Sequence, residues 1–352
     1  MHLNIFASQS CFVNCKGCYS YSREEKRRKQ IPTDILINFL KFVHNEGIKK
    51  ITLCGGDPLT REDIIELLEE IKKIGFIVSL DTFGSSIIKD AIIDRRTVVK
   101  QVDAKKLAEL VDEVGIPIDG STNEVFKRFR QAKTDIVNEQ IAICEELRRF
   151  GANICINTVA HKGNLEDVYE LAKLIKGLDY IKKWQVFQYS PLGKFGLSNR
   201  KYFEITDKQF LEFKSAVSEV FNGDLSKIQF KNSKIRENAY MIVDNSGNAW
   251  IPSYDNMSLS KSSYIVNNDT IIGNIFNKED WEEICSYLDR DFTQKDAMKS
   301  DTKNGYTLSN KSREEFIKNI SKDGEYRKLS LPVKRLEQQE SESHKKTDEK
   351  CK

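Results

Sequence analysis

Short apolar segments alternate with longer segments of helical periodicity along the first two-thirds of the chain. In the longer segments apolar residues recur every three or four positions, as at Ile64, Leu67, Leu68 and Ile71, which predicts helices. The short segments predict strands at Leu3–Ala7, Lys50–Leu53, Phe76–Leu80, Gly115–Ile118, Asn153–Val159 and Trp184–Gln188. Six strand–helix units in series predict an α/β fold, in which helices cover a parallel sheet.

The number of units predicts how far this sheet closes. Right-handed crossovers curl a parallel sheet toward a barrel, and a closed barrel of this kind has eight units. We therefore expect a partial (β/α)6 barrel over residues 1–223. Within it, the segment Ile87–Val111 has a helical pattern, and Thr60 is the expected N-cap of the second helix.

The pattern changes after residue 223. Tyr240–Val243 and Ala249–Ile251 flank the turn sequence Asn245-Ser246-Gly247-Asn248, which predicts a β-hairpin. We expect residues 224–300 to form a small α+β extension. Residues 301–352 are polar and charged, and they are expected to form a flexible tail.

Composition and charge narrow the range of partners. Hydrophobic residues make up 39% of the chain and charged residues 31%, and no apolar run reaches the roughly 18 residues that a membrane span needs. The first residues lack the basic region of a secretory signal. The net charge of +3 is weak for a nucleic-acid-binding protein. We therefore expect a cytoplasmic protein with neither membrane nor nucleic-acid partners.

The clearest chemical signal is a loop of three cysteines directly after the first strand. Cys11, Cys15 and Cys18 fall within eight residues, and thiolates suit iron–sulfur clusters and zinc. A zinc site usually has a fourth protein ligand, which neither His2 nor His44 clearly supplies. Three cysteines on a four-iron cluster leave one iron open to a chelating ligand. The alternatives are a zinc-stabilised loop or three incidental thiols.

A second signal lies at the end of the second strand, in Leu53-Cys54-Gly55-Gly56-Asp57-Pro58. Paired glycines let the backbone approach a ligand closely, and proline restricts the turn that follows. An ordinary strand-to-helix turn is the alternative interpretation. Its position, at the next strand end after the cysteine loop, favours a ligand site.

Together, the C-x3-C-x2-C loop and the Gly-Gly-Asp-Pro segment resemble the signature of the radical S-adenosylmethionine (SAM) superfamily. The resemblance implies one 4Fe–4S cluster, whose open iron binds SAM and which cleaves it reductively to a 5′-deoxyadenosyl radical. It also implies an electron donor such as flavodoxin or ferredoxin. Two residues depart from the usual pattern: Gly17 replaces an aromatic residue, with Tyr19 following the last cysteine, and Asp57 replaces glutamate.

Polar residues near later strand ends are further candidates for SAM contacts. Ser85 and Asn157 are assigned to its methionine part, Asp119 to its ribose and Arg130 to its carboxylate. Helix capping and turn chemistry are the alternative roles. The expected cofactor-binding residues are Tyr19, Gly55, Gly56, Asp57, Pro58, Ser85, Asp119, Arg130, Asn157 and Gln188.

A closer resemblance concerns the substrate. Four segments are similar to viperin and its microbial relatives, namely Asp81–Ile88, Ile156–Val159, Trp184–Gln188 and Ala239–Asp244. This resemblance implies a nucleoside triphosphate substrate. The candidate phosphate-binding residues are Lys127, Arg128, Arg130 and Lys133.

Two other functions remain open. Gly247–Pro252 and Ile272–Ile275 resemble the scaffold of peptide-modifying members of the superfamily, but the extra cysteines of their auxiliary clusters are absent. A maturase of a ribosomally made peptide, or an enzyme of another small metabolite, is therefore the alternative. The remote alternative is a non-enzymatic zinc or electron-transfer module, which predicts no cleavage of SAM.

Overall fold

The computed structural model describes residues 1–20, 30–93, 97–132, 134–236, 239–252 and 270–288. The strands in these ranges are β1 His2–Ser8, β2 Asn14–Cys15, β3 Lys50–Gly55, β4 Ile77–Asp81, β5 Ala91–Ile93, β6 Thr97–Val99, β7 Glu113–Pro117, β8 Arg130–Gln131, β9 Ile154–Ala160, β10 Lys183–Gln188, β11 Ile228–Lys231, β12 Tyr240–Val243, β13 Asn248–Ile251 and β14 Thr270–Asn274.

The α-helices of the same ranges are α1 Thr33–Asn45, α2 Ile64–Ile74, α3 Ser85–Ile88, α4 Ala104–Leu110, α5 Asn123–Phe129, α6 Ile136–Arg149, α7 Val168–Gly177, α8 Gly193–Ser198, α9 Arg200–Phe203, α10 Asp207–Val220, α11 Ser233–Arg236 and α12 Trp281–Ser286. Among these described helices, none combines the length and the apolar character needed to cross a membrane.

Ten of the strands form one sheet in the order β11-β10-β9-β7-β4-β3-β1-β12-β13-β14. The strands from β11 to β12 are parallel, and β13 and β14 continue the sheet in antiparallel fashion. The six predicted strands are β1, β3, β4, β7, β9 and β10, which lie side by side in chain order. The predicted α/β fold with a parallel sheet is therefore confirmed.

Strands that follow residue 223 extend this sheet at both ends. β11 pairs with β10, and β12 pairs with β1 in the register Leu3↔Met241. The expected hairpin is β12–β13, with Ile242 opposite Trp250. Residues on both sides of position 223 thus share one sheet. The predicted tail, residues 301–352, lies outside the described residues.

Polar and apolar residues alternate along the parallel strands, and this alternation creates the interior of the barrel. In β1, Leu3 and Ile5 are fully buried, whereas the intervening Asn4 lines a central cavity. In β3, Ile51 is fully buried and Thr52 lines the same cavity. Because neighbouring side chains on a strand point to opposite faces, the apolar set packs on one face and the polar set surrounds the cavity.

The segment from Ile87 to Val111 differs from the helix that its pattern predicts. α3 ends at Ile88, and β5 and β6 then form an antiparallel hairpin in which Ile92 lies opposite Val98. Isoleucine, valine and threonine dominate this stretch, and such β-branched residues favour strands. Helical structure resumes only in α4.

Thr60 also has a different role from the expected one. The Asp57 side chain caps a short 3₁₀ turn, Pro58–Thr60, by accepting a hydrogen bond from the Leu59 N–H. Thr60 Oγ1 donates to the Asp57 carbonyl oxygen at 2.6 Å, and α2 begins later, at Ile64. The aspartate precedes the turn by one residue and so reaches its free N–H groups first.

Candidate functional site

The three clustered cysteines line one large cavity inside the barrel, of about 590 Å³. Their loop follows β1, so they lie at the carboxyl ends of the parallel strands, where ligands of such sheets bind. All three are free thiols. Burial raises the pKa of Cys11, and it raises the pKa of Cys15 to about 12. Because metals bind thiolates, the cysteines must release protons on metal binding.

The arrangement of the thiols discriminates between zinc and a cluster. Among the described residues, no group of three or more His, Cys, Asp or Glu side chains is placed to hold a single metal ion. A zinc site would need its ligands within about 2.3 Å of one ion. A 4Fe–4S cluster carries each cysteine on a different iron and accommodates separated thiols. Three cysteine thiols that line one cavity match the number of cysteine ligands of a 4Fe–4S cluster with one open iron.

The paired glycines pack directly against the cysteine loop. The Gly56 N–H donates to the Ser8 carbonyl oxygen at 2.7 Å, and Ser20 Oγ donates to the Gly55 carbonyl oxygen at 2.7 Å. A Cβ atom on Gly56 would lie 2.3 Å from the Ser10 carbonyl oxygen. The backbones thus approach too closely for any side chain, and the glycines position both flanks of the loop.

Asp57 connects this turn to the end of β4. Its carboxylate accepts hydrogen bonds from Leu59 N at 3.0 Å, Thr82 Oγ1 at 2.7 Å and Phe83 N at 2.7 Å. Burial raises the pKa of Asp57 to about 6, and these hydrogen bonds act in the opposite direction. Asp57 lines the cavity, whereas Pro58 is buried beside it and does not.

The structure explains why position 17 lacks an aromatic side chain. A Cβ atom on Gly17 would lie 2.5 Å from Phe129 Cε2 and 2.7 Å from Tyr189 Cε2. These two rings come from the end of α5 and from the residue after β10, and they occupy the space that a side chain would need. Tyr19 lines the cavity, and its hydroxyl group lies 3.9 Å from Cys54 Sγ.

Arg130 joins the cysteine loop to the middle of the barrel. β2 and β8 form a short antiparallel ladder in which Cys15 lies opposite Arg130. Arg130 Nε donates to Asp119 Oδ2 at 2.5 Å, and the Val159 N–H donates to Asp119 Oδ1 at 2.7 Å. Asp119 is fully buried and is not among the residues that line the cavity. It therefore orients Arg130, which does line the cavity.

The other predicted contacts are divided between the cavity and the protein interior. Asn157 lines the cavity, and its Nδ2 donates to Asp81 Oδ1 at 2.9 Å. Gln188 also lines the cavity, although its Nε2 donates to Asp207 Oδ1 at 3.1 Å. Ser85 lies away from the cavity, where its hydroxyl group donates to Glu139 Oε1 at 2.6 Å.

The candidate phosphate ligands are not brought together. Lys127 and Arg128 do not line the cavity, and Arg128 Nη1 donates to the Gly163 carbonyl oxygen at 2.9 Å. Lys133 lies outside the described residues. Of the three described members of this set, only Arg130 reaches the cavity, next to the cysteines.

Cations from other strands line the cavity instead, and sequence reasoning missed them. They are Lys50 on β3, Lys183 on β10, Lys231 on β11 and Arg236 on α11. Lys183 pairs with Glu113 at 2.7 Å, and burial lowers the pKa of Lys50. The sequence offered one sign of these residues: a lysine stands among mostly apolar residues in each of the strands β3, β10 and β11.

Three thiols thus line a cavity at the carboxyl ends of a parallel sheet, and thiolates suit soft metals and iron–sulfur clusters. A family model described as the radical SAM superfamily matches residues 5–175. These residues therefore constitute a radical SAM domain. Members of this superfamily use a 4Fe–4S cluster and SAM.

Known proteins similar to this chain have different activities. An S-adenosylmethionine-dependent nucleotide dehydratase of Lacinutrix mariniflava is 22% identical over 70% of this chain and 49% of its own length. An AdoMet-dependent heme synthase of Methanosarcina barkeri is 28% identical over 52% of this chain and 49% of its own length. The chain thus spans about half the length of these relatives.

Solved structures show the same fold. SuiB of Streptococcus suis bound to its precursor peptide SuiA superposes with a TM-score of 0.61 and 16% identity, over 84% of this chain and 69% of that one. At this level of identity the similarity concerns the fold alone.

Proposed function

We propose that the protein is a radical SAM enzyme that acts on a nucleotide. The observation that carries this proposal is a single cavity that extends from the three cysteines to several buried cations. When bound, the cluster and SAM supply a 5′-deoxyadenosyl radical that abstracts a hydrogen atom from the substrate. A substrate in the same cavity would be held close to that radical and shielded from water.

The residues around the cysteines have separate roles in this proposal. Cys11, Cys15 and Cys18 hold the cluster. Gly55 and Gly56 line the cavity with backbone groups that face SAM, and their lack of a Cβ atom lets the cysteine loop and the end of β1 pack directly against them. Tyr19, Asp57, Arg130, Asn157 and Gln188 line the SAM end of the cavity, whereas Pro58, Ser85 and Asp119 support it from outside.

The charge of the cavity supports an anionic substrate. Lys50, Lys183, Lys231 and Arg236 line it, against the carboxylates Asp81 and Glu113 outside the cysteine end. Glu113 is paired with Lys183, which leaves a cationic excess. Phosphate groups are well suited to such a surface. The similarity to a nucleotide dehydratase supports the same substrate class.

The reaction also needs an electron donor and a reducing environment. A flavodoxin or ferredoxin would supply one electron at a time to the cluster. Free thiols persist in reducing compartments, so we place the enzyme in the cytoplasm.

The test is 5′-deoxyadenosine formation by anaerobically reconstituted protein with dithionite and SAM, alone and with each nucleoside triphosphate. We expect one nucleotide to stimulate formation and to yield a new nucleotide product. Slow cleavage of SAM that no nucleotide stimulates would contradict the proposal that the substrate is a nucleotide. No cleavage by protein with a full complement of iron would contradict the enzyme class.

A peptide is the second candidate substrate. The fold similarity to SuiB with its bound precursor peptide favours it. This candidate predicts that a peptide encoded near this gene stimulates 5′-deoxyadenosine formation, and that nucleotides do not.

A further inference from the structure

Lys231 is a half-buried cation in the cavity, and no carboxylate of the described residues lies within ion-pair distance of it. It lies at the end of β11 and lines the cavity, and Nζ donates a hydrogen bond to the Gln185 side-chain oxygen. Nζ also lies 5.3 Å from the centroid of the Phe187 ring. No carboxylate of the described residues forms an ion pair with it. Lys183, by contrast, has Glu113 at 2.7 Å.

The surroundings of Lys231 increase the cost of its charge. Burial, together with the neighbouring cations Lys183 and Arg236, lowers the pKa of Lys231 to about 8, whereas Cys155 and Asp81 act in the opposite direction. Arg236 lies over the same ring as Lys231, with Cζ 5.5 Å from the Phe187 centroid. Its Nη2 donates to the Gln188 carbonyl oxygen at 3.0 Å and to the Ser190 hydroxyl group. A buried charge is costly unless an opposite charge compensates for it.

We propose that Lys231 binds a phosphate group of the substrate, with Arg236 contacting a second anionic group across the Phe187 ring. This inference rests on the proposed function and specifies where the anionic end of the substrate lies. Two cations that lie near the same aromatic ring suit an extended anion with several charges, such as a polyphosphate. Asp81 is close enough to favour the charged form of Lys231 but forms no ion pair with it, and a bound phosphate group would place a negative charge in direct contact.

A different explanation for Lys231 comes from its strand. β11 is the edge strand of the described sheet, and inward-pointing charges on edge strands prevent pairing with other chains. That role predicts no response to anions, so anion binding distinguishes the two explanations.

The experiment is calorimetric titration of the reconstituted protein with inorganic tripolyphosphate, and separately with citrate as a polycarboxylate. Lys231→Met removes the charge, Lys231→Arg keeps it, and Lys127→Met removes a lysine that does not line the cavity. We expect Lys231→Met to weaken tripolyphosphate binding at least about tenfold, as loss of a charged hydrogen bond does. Lys231→Arg and Lys127→Met should bind tripolyphosphate with nearly the same affinity as the unmodified protein.

Equal tripolyphosphate affinity in Lys231→Met and the unmodified protein would overturn the proposal, as would tighter binding of citrate than of tripolyphosphate. Thermal unfolding provides a second test that needs no active enzyme. Without anions, Lys231→Met should unfold at the same or a higher temperature, because it removes an uncompensated charge. Tripolyphosphate should raise the unfolding temperature of the unmodified protein more than that of the variant.

These measurements also separate this proposal from the proposed function. Slow SAM cleavage without substrate should be unchanged in Lys127→Met, because Lys127 does not line the cavity. If the unmodified protein cleaves SAM but binds no tripolyphosphate, the Lys231 proposal is wrong and the enzyme class stands. If the unmodified protein binds tripolyphosphate but never cleaves SAM, the enzyme class is wrong and the anion-binding role of the cavity stands.

Discussion

Arg130 Nη1 donates a hydrogen bond to Cys15 Sγ at 3.5 Å, although 115 positions separate the two residues in the chain. The same guanidinium group forms an ion pair with Asp119, which is fully buried. Asp119 is in turn held by the Val159 N–H. One continuous set of hydrogen bonds therefore extends from a proposed cluster ligand to β9, in the middle of the barrel.

The first prediction concerns this ion pair. Arg130→Met should lower the free energy of unfolding by about 3–5 kcal/mol, because it leaves the Asp119 carboxylate buried without its partner. Urea unfolding of the cluster-free protein measures the change. Arg128→Met is the matched control: its partner Glu124 is largely exposed, and such surface pairs contribute less than about 1 kcal/mol. Equal stability of the two variants would contradict the assignment.

The same variant should change the electronic properties of the cluster. Hydrogen bonds to cluster sulfur atoms are among the features that set its reduction potential, because they stabilise the more negative reduced state. We expect Arg130→Met to lower the midpoint potential in a redox titration followed by electron paramagnetic resonance. An unchanged potential would show that the hydrogen bond to Cys15 is absent in the loaded protein.

The second prediction tests the three proposed cluster ligands. Replacing Cys11, Cys15 or Cys18 by Ala should abolish the visible absorption of the cluster and reduce 5′-deoxyadenosine formation by more than about a hundredfold. Cys144→Ala is the control, because Cys144 is buried in α6 and does not line the cavity. If all three variants kept the absorption and the activity, other residues would have to hold the cluster.

The third prediction tests the close approach of the glycine turn to the cysteine loop. In Gly56→Ala, the new methyl group would meet the Ser10 and Gln9 carbonyl oxygens at 2.3 and 2.5 Å. We expect a loss of about 1–3 kcal/mol in urea unfolding, typical of overpacking, together with weaker SAM binding. Gly177→Ala places a methyl group in open space at the end of α7, and its stability should be unchanged or slightly higher.

The fourth prediction follows from the pKa of Lys231, which is lowered from 10.5 to about 8. Below pH 8 the amine is protonated in both the folded and the unfolded chain. Between pH 8 and 10.5 only the unfolded chain keeps the proton, so the free energy of unfolding should rise with pH across this window. Between pH 7 and 9 the rise from this group should be about 1 kcal/mol.

Urea unfolding of Lys231→Met at the same pH values isolates this contribution, because the variant lacks the titrating amine. The difference between the two proteins should shrink as the pH rises, and a constant difference would contradict the assignment. The comparison is needed because other ionisable groups influence Lys231 or are influenced by it. These groups are His2, Asp81, Cys155, Lys183 and Arg236.

Local patterns predicted the main elements correctly. The six parallel strands agree with the structure within a few residues, and the apolar positions Ile64, Leu67, Leu68 and Ile71 lie in a helix as predicted. In Ile87–Val111 the prediction failed, because the apolar positions fit a helical period while β-branched residues formed the hairpin of β5 and β6. Periodicity alone does not separate these outcomes in short apolar segments.

The sequence by itself determined the cysteine loop, the glycine turn and the order of the strands. These features depend on residues close together in the chain, and local spacing is sufficient to predict them. Only the tertiary structure decided that Arg130 contacts Cys15, and that Lys50, Lys183 and Lys231 share one cavity. The sequence shows which side chains alternate along each strand, but helical crossovers set the relative positions of the strands. The charge of the cavity therefore emerges only when strands distant in sequence are aligned.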